Sequence, residues 1–147
     1  MKPEFMLKAL EQAKLSGDDV PVGCVIVKND EIIASSGNER EKFHKISAHA
    51  EILAIEKAEQ LLKTWKLDEC EMYVTLEPCP MCASAIVQSR IKTVYFGAYD
   101  SVYGALGSKT DMCDIMNSKI PKVFGGIMEK ECRELISEFF KDVRRND

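Results

Sequence analysis

The chain has 147 residues, of which 46% are hydrophobic and 30% are charged, with a formal net charge of -4. This length and this balance suit one folded domain over residues 1–147 and exclude a disordered chain. Apolar runs such as 25–27 are far shorter than the ~20 residues of a membrane helix, and residues 1–4 lead into a charged stretch unlike a signal peptide, so we expect a cytoplasmic protein that does not span a membrane.

The N-terminal half predicts a helix, a hairpin and a second helix. Apolar side chains recur at helical spacing over 5–15, and the polar run 16–19 ends that pattern. β-branched residues at 22–27 and 32–34 are separated by a polar turn, which predicts an antiparallel hairpin. A further apolar face at helical spacing predicts a helix over 48–62.

The C-terminal half predicts alternating strands and helices. These are strands at 71–76, 93–97 and 123–126 and helices at 80–89 and 129–143. Residues 98–122 have weak periodicity and predict a functional loop with a short helix near Met112. Because strand, helix and strand follow in order, we expect a parallel pair joined by a right-handed crossover. The whole order predicts an α/β fold, a three-layer α-β-α sandwich around a mixed, mostly five-stranded sheet.

Two motifs at predicted helix starts supply metal ligands and a carboxylate. They are His49-Ala50-Glu51 and, beginning thirty positions after His49, Cys79-Pro80-Met81-Cys82. Zinc takes imidazole nitrogen and thiolate sulfur in a tetrahedron, and a catalytic site keeps the fourth position open. A helix N-terminus favours thiolate over thiol, and bound zinc lowers the pKa of its water to about 7. We therefore predict that His49, Cys79 and Cys82 bind one Zn²⁺ per subunit and that Glu51 moves the protons.

The alternatives for these motifs are a structural metal site and an incidental pair of cysteines. A zinc finger is disfavoured because a second ligand pair is absent, and a thioredoxin-like site needs neither the histidine nor the glutamate. We assign no role to His44. The remaining cysteines are expected to behave as small buried hydrophobes; they are Cys24, Cys70, Cys113 and Cys132.

The pattern H-x-E…P-C-x-x-C is the signature of zinc nucleobase deaminases. From about residue 3 to residue 144 the chain resembles the cytidine deaminase-like zinc deaminases, and within them the bacterial tRNA adenosine deaminase group. Further motifs that carry the resemblance are Val20-Pro21-Val22-Gly23, Tyr73-Val74-Thr75-Leu76-Glu77-Pro78-Cys79 and Gly104-Ala105-x-Gly107-Ser108.

The resemblance implies a homodimer that deaminates adenosine to inosine at the wobble position of a tRNA anticodon. It also implies that Asn38 hydrogen-bonds the target nucleotide, that Val22, Ala48 and Leu76 line the pocket, and that Asp100 approaches the RNA. Read without the resemblance, Asn38 is a turn residue, Asp100 is a loop cap, and Val22 and Leu76 are ordinary core.

Several positions depart from that group in ways that remove contacts to RNA. Tyr99 stands where arginine is frequent, Val102-Tyr103 replaces a stretch that often carries lysine, and Asn117-Ser118 replaces Asn-His. Tyrosine stacking on an exposed base, at about 1–3 kcal/mol, would offset part of the loss.

The acidic net charge also favours another enzyme class, a deaminase of a free base or nucleoside such as cytosine, cytidine or guanine. A non-catalytic zinc-binding scaffold is disfavoured because Glu51 is intact.

Overall fold

A computed structural model describes residues 1–117 and 119–145. Ser118, which stands where the related group often has histidine, lies outside the described residues. Helices and strands alternate through most of the chain. The helices are α1 Pro3–Ala13, α2 Arg40–Phe43, α3 Ala50–Leu62, α4 Pro80–Gln88, α5 Met112–Met116 and α6 Glu129–Arg145. The strands are β1 Gly23–Lys28, β2 Glu31–Gly37, β3 Glu71–Leu76, β4 Thr93–Ala98 and β5 Lys122–Phe124.

The described strands form one mixed sheet in the order β2-β1-β3-β4-β5. β1 runs antiparallel to both β2 and β3, whereas β4 runs parallel to β3 and β5. The predicted hairpin and the predicted parallel pair are therefore both confirmed. The hairpin turns through Asn29 and Asp30 at φ of 52° and 62°, a left-handed conformation that these two residue types tolerate well.

Helices cover both faces of the sheet because its side chains alternate between two apolar clusters. Val25, Tyr73 and Tyr95 pack on one face with buried residues of α1 and with Cys132 of α6. Val74 and Phe96 belong to the cluster on the other face, which includes buried residues of α3 and α4. This alternation confirms the predicted three-layer sandwich.

The helix boundaries differ from the predictions where caps decide them. α1 begins at Pro3 instead of residue 5, because the fixed φ of proline suits a first helical turn. α3 begins at Ala50 instead of residue 48, because His49 is an extended N-cap with ψ of 150°. The short α2 was not predicted, since four residues are too few to show a helical period.

Strand boundaries also differ from the predictions, most of all for β2 and β5. β2 covers Glu31–Gly37 instead of 32–34, so it extends three residues further, and β5 covers Lys122–Phe124 instead of 123–126. β5 ends before Gly126, where a φ of 81° turns the chain away from the sheet. The short helix expected near Met112 is confirmed as α5. None of the described helices is long and apolar enough to cross a membrane.

Candidate active site

The three predicted metal ligands lie together at the starts of two helices. His49 is the N-cap of α3, Cys79 is the N-cap of α4, and Cys82 follows within the first turn of α4. His49 Nδ1 lies 3.7 Å from Cys79 Sγ and 3.4 Å from Cys82 Sγ, and the three ligand atoms lie within 4.8 Å of one another. In a tetrahedral zinc site, bonds of 2.0–2.3 Å put neighbouring ligand atoms about 3.6 Å apart. The donor set and its spacing therefore fit zinc.

The local backbone explains why these side chains face one another. His49 and Cys79 are both extended, with ψ of 150° and 172°, and neither uses its side chain to cap its own helix. Pro80 then starts α4 with a preset φ. Among the described residues the group holds three His or Cys ligands with no fourth His, Cys, Asp or Glu, as expected for a centre that leaves one coordination position to water.

Cys79 is linked electrostatically to both of the other ligands, and hydrogen bonds between them shift their pKa values. A hydrogen bond from the Cys82 thiol lowers the pKa of Cys79, while the same bond together with burial raises the pKa of Cys82. The hydrogen bond to Cys79 raises the pKa of His49. Of the two thiols, Cys79 is therefore the one that loses its proton at lower pH, and the helix N-terminus at which it lies stabilises the thiolate.

Glu51 lies in the first turn of α3 and is 4% exposed. Burial raises the pKa of Glu51 to about 7. It lines the same cavity as His49 and Cys79. A carboxyl group that titrates near neutral pH can both accept and donate a proton, as the predicted catalytic role of Glu51 requires.

A cavity of about 750 Å³ opens over this group. It includes four of the five residues predicted to bind substrate, namely Val22, Asn38, Leu76 and Asp100. The fifth, Ala48, is buried beside His49, and its carbonyl accepts a hydrogen bond from Glu39 N at 2.9 Å. The volume is in the range of small-molecule binding sites and is large enough for a nucleoside.

Asn38 and Asp100 both make structural hydrogen bonds at the cavity. The Asn38 side chain accepts from Ala50 N at 2.8 Å and donates to Val20 O at 3.0 Å, so it fixes the start of α3. Asp100 Oδ1 accepts from the amides of Val102 and Tyr103, both at 3.0 Å. Asp100 therefore caps the loop, which is the role expected for it when the resemblance is left aside.

Two residues important to the site were not predicted from the sequence. Glu77 is 2% exposed, and its carboxylate accepts hydrogen bonds from residues 100–108. Arg40 lines the cavity and donates through Nε to the buried Asp19 at 3.4 Å. The signal in the sequence that could have identified Glu77 is its position as an acidic residue between the apolar strand 71–76 and the ligand Cys79.

The remaining cysteines and His44 lie outside the ligand group. Cys24, Cys70, Cys113 and Cys132 are buried free thiols outside the ligand group. His44 ends α2 in a left-handed conformation and is exposed.

The fold and the site define a class of protein: an α/β metalloenzyme with a histidine and two cysteines placed as zinc ligands and a buried carboxyl group in the same cavity. The chain belongs to the family described as the cytidine and deoxycytidylate deaminase zinc-binding region, which matches residues 1–98. This match confirms the resemblance to zinc deaminases and the predicted zinc cofactor.

The chain is also similar to individual proteins over most of its length. A tRNA-specific adenosine deaminase of Bacillus subtilis (strain 168) is 41% identical over 145 residues, covering 96% of this chain and 89% of that protein. A solved structure from studies of A-to-I editing by tRNA:A34 deaminases at the wobble position of transfer RNA superposes with a TM-score of 0.85 at 37% identity, covering 91% of this chain and 99% of that one. Guanine deaminase from Bacillus subtilis superposes with a TM-score of 0.64 at 40% identity, covering 67% of this chain and 66% of that one.

Proposed function

We propose that this protein is a zinc-dependent hydrolase that deaminates adenosine to inosine at the wobble position of a tRNA anticodon. The observation that carries the proposal is the group of His49, Cys79, Cys82 and Glu51 at a nucleoside-sized cavity, in a chain 41% identical to a tRNA-specific adenosine deaminase over 96% of its length. The proposed substrate implies that the enzyme acts in the cytoplasm.

The chemistry requires an activated water and a carrier for its proton. His49, Cys79 and Cys82 would hold the zinc ion, which would act there as a Lewis acid and lower the pKa of a water molecule to about 7. Glu51 accepts the proton of the water that attacks C6 of adenine and passes it to a ring nitrogen. It then takes the proton of the new C6 hydroxyl and delivers it to the amine, so that the C6–N bond breaks, ammonia leaves and the C6 carbonyl forms. One carboxylate thus acts in both halves of the reaction.

The cavity residues suit a flipped-out nucleoside. An asparagine amide carries two N–H donors, and the bond from Asn38 to Val20 leaves the second available to a nucleotide. Val22 and Leu76 supply apolar walls for the base, and the buried Ala48 immediately precedes the ligand His49 in the chain. Asp100 shapes the loop on which the RNA would rest.

A second, shallower cavity supports the proposal that the enzyme is a homodimer. This groove measures about 600 Å³ and lies between α3, α4 and α5, with Ile52, Ala85 and Met116 in its lining. Trp65 also lines it and is 52% exposed, a large apolar area to leave in water. Light scattering after gel filtration should give about twice the mass of the 16.5 kDa chain, and Trp65→Glu should give the monomer. A monomeric wild-type protein would contradict the dimer.

The substrate is tested by incubating the zinc-loaded protein with an anticodon stem-loop that carries adenosine at the wobble position. The RNA is then digested to nucleosides and analysed by mass spectrometry. Inosine is the expected product, and a stem-loop with guanosine at that position is the matched control. Absence of inosine at stoichiometric enzyme would contradict the tRNA substrate.

Guanine deamination is the second candidate, supported by the 40% identity to guanine deaminase over 67% of the chain and by the net charge of -4. The two candidates are separated by measuring ammonia release from free guanine, cytosine, cytidine and adenosine beside the stem-loop. Release from a free base or nucleoside, with none from RNA, would select the small-molecule alternative.

A further inference from the structure

Glu77 connects the zinc-binding segment to the loop at the mouth of the cavity. It lies between the end of β3 and the ligand Cys79, and it is 2% exposed. Its Oε1 accepts from Asp100 N at 3.1 Å and from the Ser108 hydroxyl, and its Oε2 accepts from Leu106 N and Ser108 N, each at 3.1 Å. Every one of these donors belongs to residues 100–108, so a single carboxylate fixes both ends of that loop.

The loop depends on this anchor because it has little regular structure of its own. Residues 100–108 contain no helix or strand, only turns and one isolated bridge residue, Leu106. Gly104 packs so closely that an added Cβ would lie 2.5 Å from the carboxyl carbon of Glu77. A second link to the same segment is the hydrogen bond from Ala105 N to Pro78 O at 2.8 Å. A buried carboxylate with four donors is a strong restraint on backbone that would otherwise move.

The anchored loop forms one wall of the cavity and extends into solvent beyond it. Asp100, Ser101, Val102 and Tyr103 all line the cavity. Val102 and Tyr103 are 62% and 68% exposed, which leaves an apolar and an aromatic surface at the mouth. Glu77 itself also lines the cavity, yet the four hydrogen bonds that its carboxylate accepts all come from the loop. Its position therefore suits it to hold the cavity rim and not to carry out a chemical step.

We propose that Glu77 is a positioning residue that holds the 100–108 loop as the rim on which the RNA around the target adenosine rests, and that it thereby sets affinity for RNA. This inference rests on the proposed function. Tyr103, held at the rim by this arrangement, offers an aromatic face to a nucleotide that flanks the target.

Glu77→Gln keeps the size of the side chain but leaves only one oxygen, so the side chain can no longer accept hydrogen bonds from both ends of the loop. The new amide nitrogen would face a backbone N–H, either that of Asp100 or those of Leu106 and Ser108, so at least one end of the loop loses its bond. Ser108→Ala is the milder variant, because it removes the hydroxyl bond and leaves the bond from Ser108 N. Glu69→Gln is the matched control: Glu69 is an exposed carboxylate just before the opposite end of β3.

The experiment combines hydrogen exchange with steady-state kinetics on the anticodon stem-loop. In Glu77→Gln we expect the amides of Asp100, Leu106 and Ser108 to exchange about tenfold faster or more, with β4 amides unchanged. We expect KM for the stem-loop to rise about tenfold, with kcat within about threefold of wild type and one zinc per chain retained. Ser108→Ala should raise KM by about threefold, and Glu69→Gln should match wild type.

A fall in kcat at unchanged KM, a loss of zinc, or unchanged exchange in Glu77→Gln would each overturn the positioning role. If Glu77→Gln does not fold, the KM of Ser108→Ala decides, and a value equal to wild type overturns the role. A wild-type protein that makes no inosine would instead show that the proposed function is wrong, and the role in RNA binding would fail with it.

Discussion

Glu51 is placed by the same helix start that presents His49. Two positions along the first turn separate the ligand from the carboxylate, so one backbone feature fixes both. The sequence motif could predict this pair because the spacing is local. It could not predict that Glu51 would be 4% exposed, since burial depends on contacts with distant residues such as Cys82, with which its side chain shares a hydrogen bond.

Replacing Glu51 separates metal binding from catalysis. Glu51→Gln keeps the shape of the side chain but cannot take up a proton, so kcat should fall about 100-fold or more while one zinc per chain remains. Zinc content by elemental mass spectrometry and single-turnover inosine formation measure the two effects. Glu69→Gln is again the control. Turnover near the wild-type rate would show that another group carries the proton.

Helix α1 and strand β1 approach each other closely at Gly23. A Cβ at Gly23 would lie 1.8 Å from Ala9 O and 2.5 Å from Ala13 N, and both are helix backbone atoms that have little room to move. The absence of a side chain at Gly23 therefore determines how near α1 lies to the sheet, and thus where the adjoining residues Val20 and Val22 reach the cavity.

Gly23→Ala should therefore destabilise the protein strongly. Overpacking typically costs about 1–3 kcal/mol, and a contact with helix backbone belongs at the upper end of that range. Urea unfolding followed by circular dichroism would measure the change. Ser16→Ala is the control at the same junction, because it removes only a weak 3.4 Å hydrogen bond to Val22 O. Equal midpoints for the two variants would contradict the tight packing seen at Gly23.

The sequence predicted most of the elements but missed α2, the shortest helix, for physical reasons. Strand 71–76 was predicted at its observed bounds because its β-branched and apolar residues continue without interruption. α2 has four residues and is held by a tertiary bond from Glu41 N to Asp19 Oδ2 at 3.0 Å. The carboxylate of Glu77 accepts hydrogen bonds from residues 23 to 31 positions further along the chain. Most of the donors are backbone amides, so the pattern of side chains in the sequence could not predict these bonds.

The ligand group, which consists of His49, Cys79 and Cys82, connects two helices that pack on the same face of the sheet. His49 begins α3, whereas Cys79 and Cys82 begin α4, and buried residues of both helices share one apolar cluster. An ion bound by all three side chains crosslinks these helices. Zinc binding therefore contributes to the stability of the native state as well as to catalysis, because the unfolded chain cannot hold the ligands together.

Removal of zinc should lower the thermal stability of the whole protein. An ion present at about 1,000 times its dissociation constant stabilises the native state by about 4 kcal/mol, which is about 10 °C in Tm for a domain of this size. Calorimetry of the zinc-loaded protein, and of protein dialysed against a chelator, measures the difference. Added zinc should restore Tm and added magnesium should not, since two thiolates and an imidazole favour the softer ion. Equal Tm values with and without bound zinc would contradict a crosslink between α3 and α4.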